Sequence, residues 1–321
     1  MSKIPVTVIT GFLGAGKTSL LNHLIKKHDE KKFVIIENEF GEENIDSELV
    51  TNIDNENLFE LTNGCICCNL NTELYLVLEN LIKSTSNFNH LLIETTGIAD
   101  PGNILAAFIS DPGIKSKFEL DSVICLVDAA NAEQDLENEE VLNKQIAISD
   151  TLVLNKTDLS SADNIERLYS KIKEINPTAC IHRAQQSKLD KQQLLDVYAY
   201  KPQKIYQFLF SVDGMEKPEN KHKHSIENYC FKSSRALDQM KFGGWLDAFL
   251  QFNSDTIYRV KGILNIAGLD NRILLQSVHT QIQATVGRPW ETDESRESKM
   301  VFIGKNLNRE VIDRNLLELC D

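Results

Sequence analysis

One stretch constrains this chain more than any other. Thr10-Gly11-Phe12-Leu13-Gly14-Ala15-Gly16-Lys17-Thr18-Ser19-Leu20 fits the phosphate-binding pattern G-x-x-x-x-G-K-[ST] in full. Ile4 to Ile9 before it is short, apolar and β-branched, as a buried parallel strand requires, and Leu20, Leu21, Leu24 and Ile25 after it recur at helical spacing. Strand, loop, helix is the order in which backbone N–H groups can close around phosphate oxygens at a helix N-terminus. In that arrangement the glycines admit the phosphates, Lys17 reaches the β- and γ-phosphates, and the Thr18 hydroxyl holds Mg²⁺. A glycine-rich turn with a solvated lysine is the plainer alternative.

Length and charge narrow the setting. At 321 residues the chain suits a nucleotide domain plus a smaller second one. Asp and Glu total 47 against 34 Lys and Arg, a net charge of −13, which argues against nucleic acid or an anionic membrane surface as main partner. No apolar run reaches the roughly 18 residues of a membrane span, and the first residues enter a strand without a signal-peptide core, so a cytoplasmic location is expected. Seven cysteines, an odd count, favour metal or thiolate chemistry over a disulfide framework.

Downstream of the loop, short apolar strands alternate with helical patterns: Phe33 to Glu37, Leu91 to Glu94, Ser122 to Asp128, Thr151 to Asn155 and Ala179 to Arg183. Such alternation predicts a doubly wound, mostly parallel α/β sheet over residues 1–210. Leu74, Val77, Leu78 and Leu81 mark a core-facing helix over Glu73 to Ile82; Ile165, Leu168, Ile172 and Ile175 mark another over Asn164 to Ile175. Residues 211–225 read as a polar linker, and the His222 and His224 within it as ordinary linker residues. From 226 to 321 an α+β domain is expected: strand Asn228 to Ser233, helix Asp238 to Leu250, strands Tyr258 to Ile266, Arg272 to Ala284 and Lys299 to Ile303, and helix Arg309 to Leu319. Trp290 and Arg288 read as packing there, and no catalytic constellation stands out.

Two further signals bear on the nucleotide. Asn155-Lys156-Thr157-Asp158 follows an apolar strand at its C-terminal end, where open α/β sheets bind ligands. The Asp158 carboxylate can accept from the guanine ring N–H and exocyclic amine, donors that adenine does not offer in that arrangement. Asn155 would brace the loop or contact the base, and the stem of Lys156 would cover its face. Glu94-Thr95-Thr96-Gly97 puts an acid at a strand end and a glycine three residues on, which suits a magnesium-holding acid and a Gly97 N–H near the γ-phosphate; a helix-capping carboxylate is the alternative.

Cys65-Ile66-Cys67-Cys68, after an Asn63-Gly64 turn, forms a separate cluster. Three soft thiolates select zinc, Cu(I) or iron–sulfur and are one ligand short of a closed tetrahedral site. The carboxylates of Glu37-Asn38-Glu39-Phe40-Gly41-Glu42 are candidates for the fourth. Mixed sulfur and oxygen ligation favours Zn²⁺ over Mg²⁺, with Co²⁺ or Ni²⁺ compatible. A redox-sensing thiol pair and buried packing are the competing readings.

These motifs, together with a C-terminal Ser298-Lys-Met-Val-Phe-Ile-Gly304, occur in one order that resembles the CobW family of metallochaperone GTPases over almost the whole chain. The resemblance implies a P-loop GTPase with a CobW C-terminal domain, low intrinsic GTP hydrolysis and a metal site coupled to the nucleotide. Its metal ligands would fall on Glu37, Glu42 and Cys67, with Cys65 and Cys68 completing the cysteine motif, and its nucleotide residues on Gly11 to Ser19, Glu94, Gly97, Asn155 and Asp158. A zinc transferase that loads a client metalloprotein is the function expected. A GTP-gated module with redox-sensing thiols and a P-loop kinase are the alternatives. No activator arginine or water-positioning glutamine stands out, so slow turnover and activation by a partner or by homo-oligomerisation are expected.

Overall fold

The computed structural model describes residues 3–38, 58–61, 70–83, 88–189, 194–210 and 226–320. Linker residues 211–225, Glu42, Cys65, Cys67 and Cys68 lie outside them. In chain order the elements are β1 (Ile4–Gly11), α1 (Lys17–Lys27), β2 (Phe33–Asn38), β3 (Leu58–Leu61), α2 (Leu70–Lys83), β4 (His90–Glu94), α3 (Gly102–Ser110), α4 (Pro112–Lys117), β5 (Phe118–Asp128), α5 (Ala132–Asn138), α6 (Glu140–Ile148), β6 (Thr151–Asn155), α7 (Ala162–Ile175), β7 (Cys180–Arg183) and α8 (Pro202–Phe210). There follow β8 (Ile226–Ser233), α9 (Gln239–Phe252), β9 (Ile257–Leu264), β10 (Asn271–Val278), β11 (Gln281–Pro289), β12 (Ser298–Lys305) and α10 (Arg309–Glu318).

The chain divides into two compact units, Met1–Ser170 with Ala179–Ala199, and Lys171–Thr178 with Tyr200–Asp321. In the first, seven strands lie in the order β3-β2-β4-β1-β5-β6-β7, and every described pairing is parallel. Strands buried on both faces need continuous apolar runs, and β1, β4, β5 and β6 supply them: Val6, Val8, Ile9, Leu91 to Ile93, Val123 to Val127 and Leu152 to Leu154 are buried. Leu20, Leu21, Leu24 and Ile25 of α1 pack into the same core. The expected helical faces are observed as well. Leu74, Leu78 and Leu81 of α2 are buried, as are Ile165, Leu168, Ile172 and Ile175 of α7.

Parallel strands present all their C-terminal ends at one edge, so Gly11, Glu37, Glu94, Asp128, Asn155 and Arg183 come to the same rim of the sheet. β1 is central, and its register on β5 skips one residue: Val6 pairs with Leu120 and Thr7 with Ser122, which makes Asp121 a bulge. Among the described residues, no helix is long and apolar enough to cross a membrane.

The second unit carries an antiparallel sheet in the order β11-β10-β9-β12-β8. One face, with Phe231, Val260, Leu264, Leu275, Met300 and Phe302, packs against Leu246 and Leu250 of α9 and Ile312 and Leu316 of α10. Asp238 caps α9 by accepting from the Lys241 N–H at 2.8 Å. Two sequence expectations change here. The single strand expected over Arg272 to Ala284 is a hairpin, β10 and β11, turned at His279 in a left-handed conformation (φ 48°). Helix α8, counted with the first domain from sequence, packs on β9 and groups with the second unit. Trp290 is buried with the Arg272 guanidinium 4.1 Å above its ring, in keeping with a packing role, whereas Arg288 is exposed and pairs with Glu291 at the surface.

Candidate nucleotide site

The loop between β1 and α1 is shaped by three glycines with positive φ: Gly11 at 141°, Gly14 at 70° and Gly16 at 101°. Two of these are also sites of close approach. A Cβ on Gly11 would overlap the Leu126 carbonyl oxygen of β5, and one on Gly16 would come within 2.6 Å of Asn155 Nδ2 and 2.8 Å of Ser187 Oγ. Only glycine lets the loop pass this close to its neighbours. Lys17 opens α1, and its Nζ donates to the Phe12 carbonyl oxygen across the loop at 3.3 Å. Leu13 at the loop's crest is exposed, and Ala15 beneath it is buried.

Behind the loop, the Thr18 hydroxyl donates to Glu94 Oε1 at 2.9 Å. The two residues named from sequence as magnesium ligands therefore meet, although 76 positions separate them. Glu94 is 8% exposed and Glu37 3% exposed. They are register partners on the adjacent strands β4 and β2, so both carboxylates leave the same face of the sheet rim. The turn after Glu94 is tied to β1 by the Thr95 N–H on the Ile9 carbonyl (2.9 Å) and the Thr95 hydroxyl on Thr10 Oγ1 (2.9 Å). Gly97 is packed so closely on Leu13 that a Cβ would lie 2.6 Å from its side chain.

The tetrapeptide Asn155-Lys156-Thr157-Asp158 joins the glycine loop through Asn155. Its buried Nδ2 donates to the Ala15 carbonyl and to Ser187 Oγ, both at 2.9 Å, while its Oδ1 accepts from the Ser187 N–H at 2.8 Å. Ser187 Oγ in turn donates to the Gly16 carbonyl at 3.0 Å. Of the two roles named for Asn155, these bonds correspond to the bracing of the loop. Lys156 takes a left-handed conformation (φ 57°) and its Nζ pairs with Asp128 Oδ2 at 2.7 Å. Burial alone would raise the Asp128 carboxyl, but hydrogen bonds from Lys156, Asn131 and the Ala130 N–H outweigh it and hold it below the ordinary carboxylate range. Asp158 stands exposed on the one-turn 3₁₀ helix Thr157–Leu159, which the Thr157 N–H and hydroxyl anchor to the Ala184 carbonyl at 3.2 and 2.9 Å.

Sequence reasoning missed Ser187 and Asp128. Ser187 is fully buried in the loop after β7, where Gln186 and Ser187 both have positive φ (50° and 58°), a costly backbone state for residues of this kind. No motif marks that loop; its place after a sheet strand at the rim was the one available signal. The glycine loop, Glu37 and Glu94, and the Asn155 to Asp158 segment lie at one rim of the sheet. For the metal, Glu37 is in place beside Glu94, while Glu42, Cys65, Cys67 and Cys68 fall outside the described residues. Among those described, no cluster of three or more metal-ligating side chains occurs, and Cys125, Cys180, Cys230 and Cys320 form no disulfide.

Comparison with known proteins places the chain in a family. Residues 5–183 match the family model described as CobW/HypB/UreG, nucleotide-binding domain, and residues 226–320 the one described as Cobalamin synthesis protein cobW C-terminal domain. The chain is 34% identical over 328 residues to the zinc chaperone YjiA of Escherichia coli strain K12, covering 97% of each protein. It is 30% identical over 350 residues to the zinc chaperone CobW of Pseudomonas aeruginosa, covering 98% of this chain and 91% of that relative. The crystal structure of Zn(II)-bound YjiA GTPase from E. coli is similar over all of both chains, with 30% identity and a TM-score of 0.77. With a family model spanning more than half of the sequence and relatives alike along their length, the chain belongs to the CobW family.

Proposed function

We infer that this protein binds and hydrolyses GTP and uses that cycle to hand zinc to a client metalloprotein. The observation that carries the nucleotide half is the Asn155–Ser187 bridge, which makes the base-reading loop and the phosphate loop one hydrogen-bonded unit. Guanine would be read by the Asp158 carboxylate, with the stem of Lys156, held by Asp128, against the face of the base. Lys17 would leave the Phe12 carbonyl for the β- and γ-phosphates. The Thr18 hydroxyl and Glu94 carboxylate are hard oxygen donors 2.9 Å apart, a set that fits Mg²⁺ completed by phosphate oxygens and water. Bound there, Mg²⁺ would neutralise charge on the phosphates as water attacks and phosphate leaves GDP.

The zinc half rests on the Cys65-Ile66-Cys67-Cys68 cluster, on Glu37 at the same rim as Glu94, and on relatives named zinc chaperones. Zinc is cargo in this reading. In this reading GTP binding and hydrolysis beside Glu37 would change the affinity for zinc. Thiols kept out of disulfides, as the four described cysteines are, suit a reducing cytoplasmic compartment.

Binding linkage supplies the test: if GTP alters zinc affinity, zinc must alter GTP affinity by the same factor. Titrating a GTP analogue into reduced protein with and without Zn²⁺ is expected to give different affinities. Equal values would remove the coupling and leave two separate sites.

A further inference from the structure

The turn after Glu94 is held from behind by a side chain so far unused. Gln145 lies on α6 with no exposed surface, and its Nε2 donates to the Gly97 carbonyl at 3.2 Å and the Ala99 carbonyl at 3.0 Å. The Ala99 N–H closes the same turn on the Thr96 carbonyl at 3.1 Å. In a trans peptide, C=O and N–H point in opposite directions, so fixing the Thr96 carbonyl also fixes where the Gly97 N–H points. On its other side the turn meets the phosphate loop: a Cβ on Gly97 would lie 2.7 Å from the Leu13 backbone nitrogen. Gly97 is therefore wedged between Gln145 and the loop that cradles the phosphates.

Packing alone does not account for a glutamine here. Its Oε1 is buried and accepts no hydrogen bond among the described residues. A buried amide with half its capacity unused is costly, and a methionine would fill the same space without that cost. What methionine lacks is the pair of donors aimed at the turn. Moreover, α6 leads almost directly into β6, whose last residue is Asn155, so one rigid segment carries both the Gly97 clamp and the brace of the base-reading loop.

We propose that Gln145 is a positioning residue of the nucleotide cycle: it holds the Gly97 turn where the Gly97 N–H meets the third phosphate of GTP, and thereby sets the preference for GTP over GDP. The inference rests on the GTPase reading above. Gln145 is buried behind the turn and acts through Gly97. GDP lacks the third phosphate, so loss of the clamp leaves GDP binding intact.

The experiment uses the full chain with Mg²⁺, GDP and a non-hydrolysable GTP analogue. Gln145→Met keeps the shape and removes the donors. It is expected to hold GDP within about twofold of the parent and to weaken the GTP analogue about tenfold, the size of one directional hydrogen bond to a charged group. Gln145→Glu turns an acceptor on the two carbonyls, and its carboxyl, raised by burial, regains a donor when protonated. Its GTP preference should therefore recover as pH falls from 8 to 6, which a purely structural role would not produce. Equal weakening of both nucleotides, or an unchanged ratio in both variants, overturns the inference. A parent protein that binds neither nucleotide overturns the GTPase reading instead.

Discussion

The Asn155 side chain is bonded within the protein, to Ala15 and Ser187, and in the proposed GTPase reading base recognition falls to Asp158. The two residues of one tetrapeptide should therefore fail in different ways. Asn155→Ala strands the Ala15 carbonyl and the Ser187 amide and leaves the Ser187 hydroxyl only its bond to the Gly16 carbonyl, at a cost of about 2–4 kcal/mol to folding. Guanine and adenine nucleotides would weaken together, readable by denaturant melts and titration. Asp158→Ala removes an exposed carboxylate, so stability should move by no more than about 0.5 kcal/mol. GTP affinity should fall about a hundredfold while ATP affinity holds, because only guanine loses its acceptor. A GTP-over-ATP ratio that survives Asp158→Ala would remove the base assignment. Residues inside motifs were readable in advance, and Thr18 meets Glu94 as their patterns require. Ser187 and Gln145 were not, since their roles arise from contacts across 32 and 48 positions and from a left-handed turn that no residue type there announces.

Elements were legible where burial imposes a period. The apolar runs of β1, β5 and β6 and the heptad-like face of α7 follow from residue type alone. The β10–β11 hairpin was not legible, because its turn is made by His279 and Thr280, with no glycine, proline or asparagine to interrupt the strand pattern. Glycines within elements divide into two kinds, and opposite outcomes follow. Gly11 ends β1 at φ 141° against the Leu126 carbonyl, so Gly11→Ala forces β1 from β5 and should destabilise by more than about 2 kcal/mol, with loss of nucleotide binding. Gly243 lies inside α9 with nothing within 4 Å of where a Cβ would stand, so Gly243→Ala should stabilise by about 1 kcal/mol through helix propensity alone. Thermal unfolding of the two variants tests the contrast, and a stabilising change at Gly11 would refute the close-approach argument.

For the molecule as a whole, class, charge and family were readable from the order of the motifs, whereas its response to pH depends on a buried polar chain that no motif marks. Thr7 of β1 donates to Asp121 Oδ2 at 3.0 Å and lies 2.9 Å from His90 Nε2, joining the bulge in β5 to the start of β4. Burial pushes the Asp121 carboxyl up to about 6, against hydrogen bonds from the Tyr198 N–H and Thr7 that oppose the rise. Burial, helped by Lys31, pushes His90 down to about 4, while Asp196 works the other way. The signs are opposite in nearly the same window. Asp121 keeps its proton in the folded state after the unfolded chain has released it, so its contribution is complete below its ordinary 3.8 and is lost as pH rises through 6. His90 stays neutral in the fold, so its contribution is complete above its ordinary 6.5 and is lost as pH falls through 4. Each amounts to about 3 kcal/mol, and in the parent they largely cancel. Asp121→Asn should expose the imbalance: near pH 4 the variant resembles the parent, and by pH 6.5 it gains on it by up to about 3 kcal/mol. Urea midpoints at pH 4.5, 5.5 and 6.5 measure the difference, and parallel curves for the two proteins would mean that burial does not raise the Asp121 carboxyl.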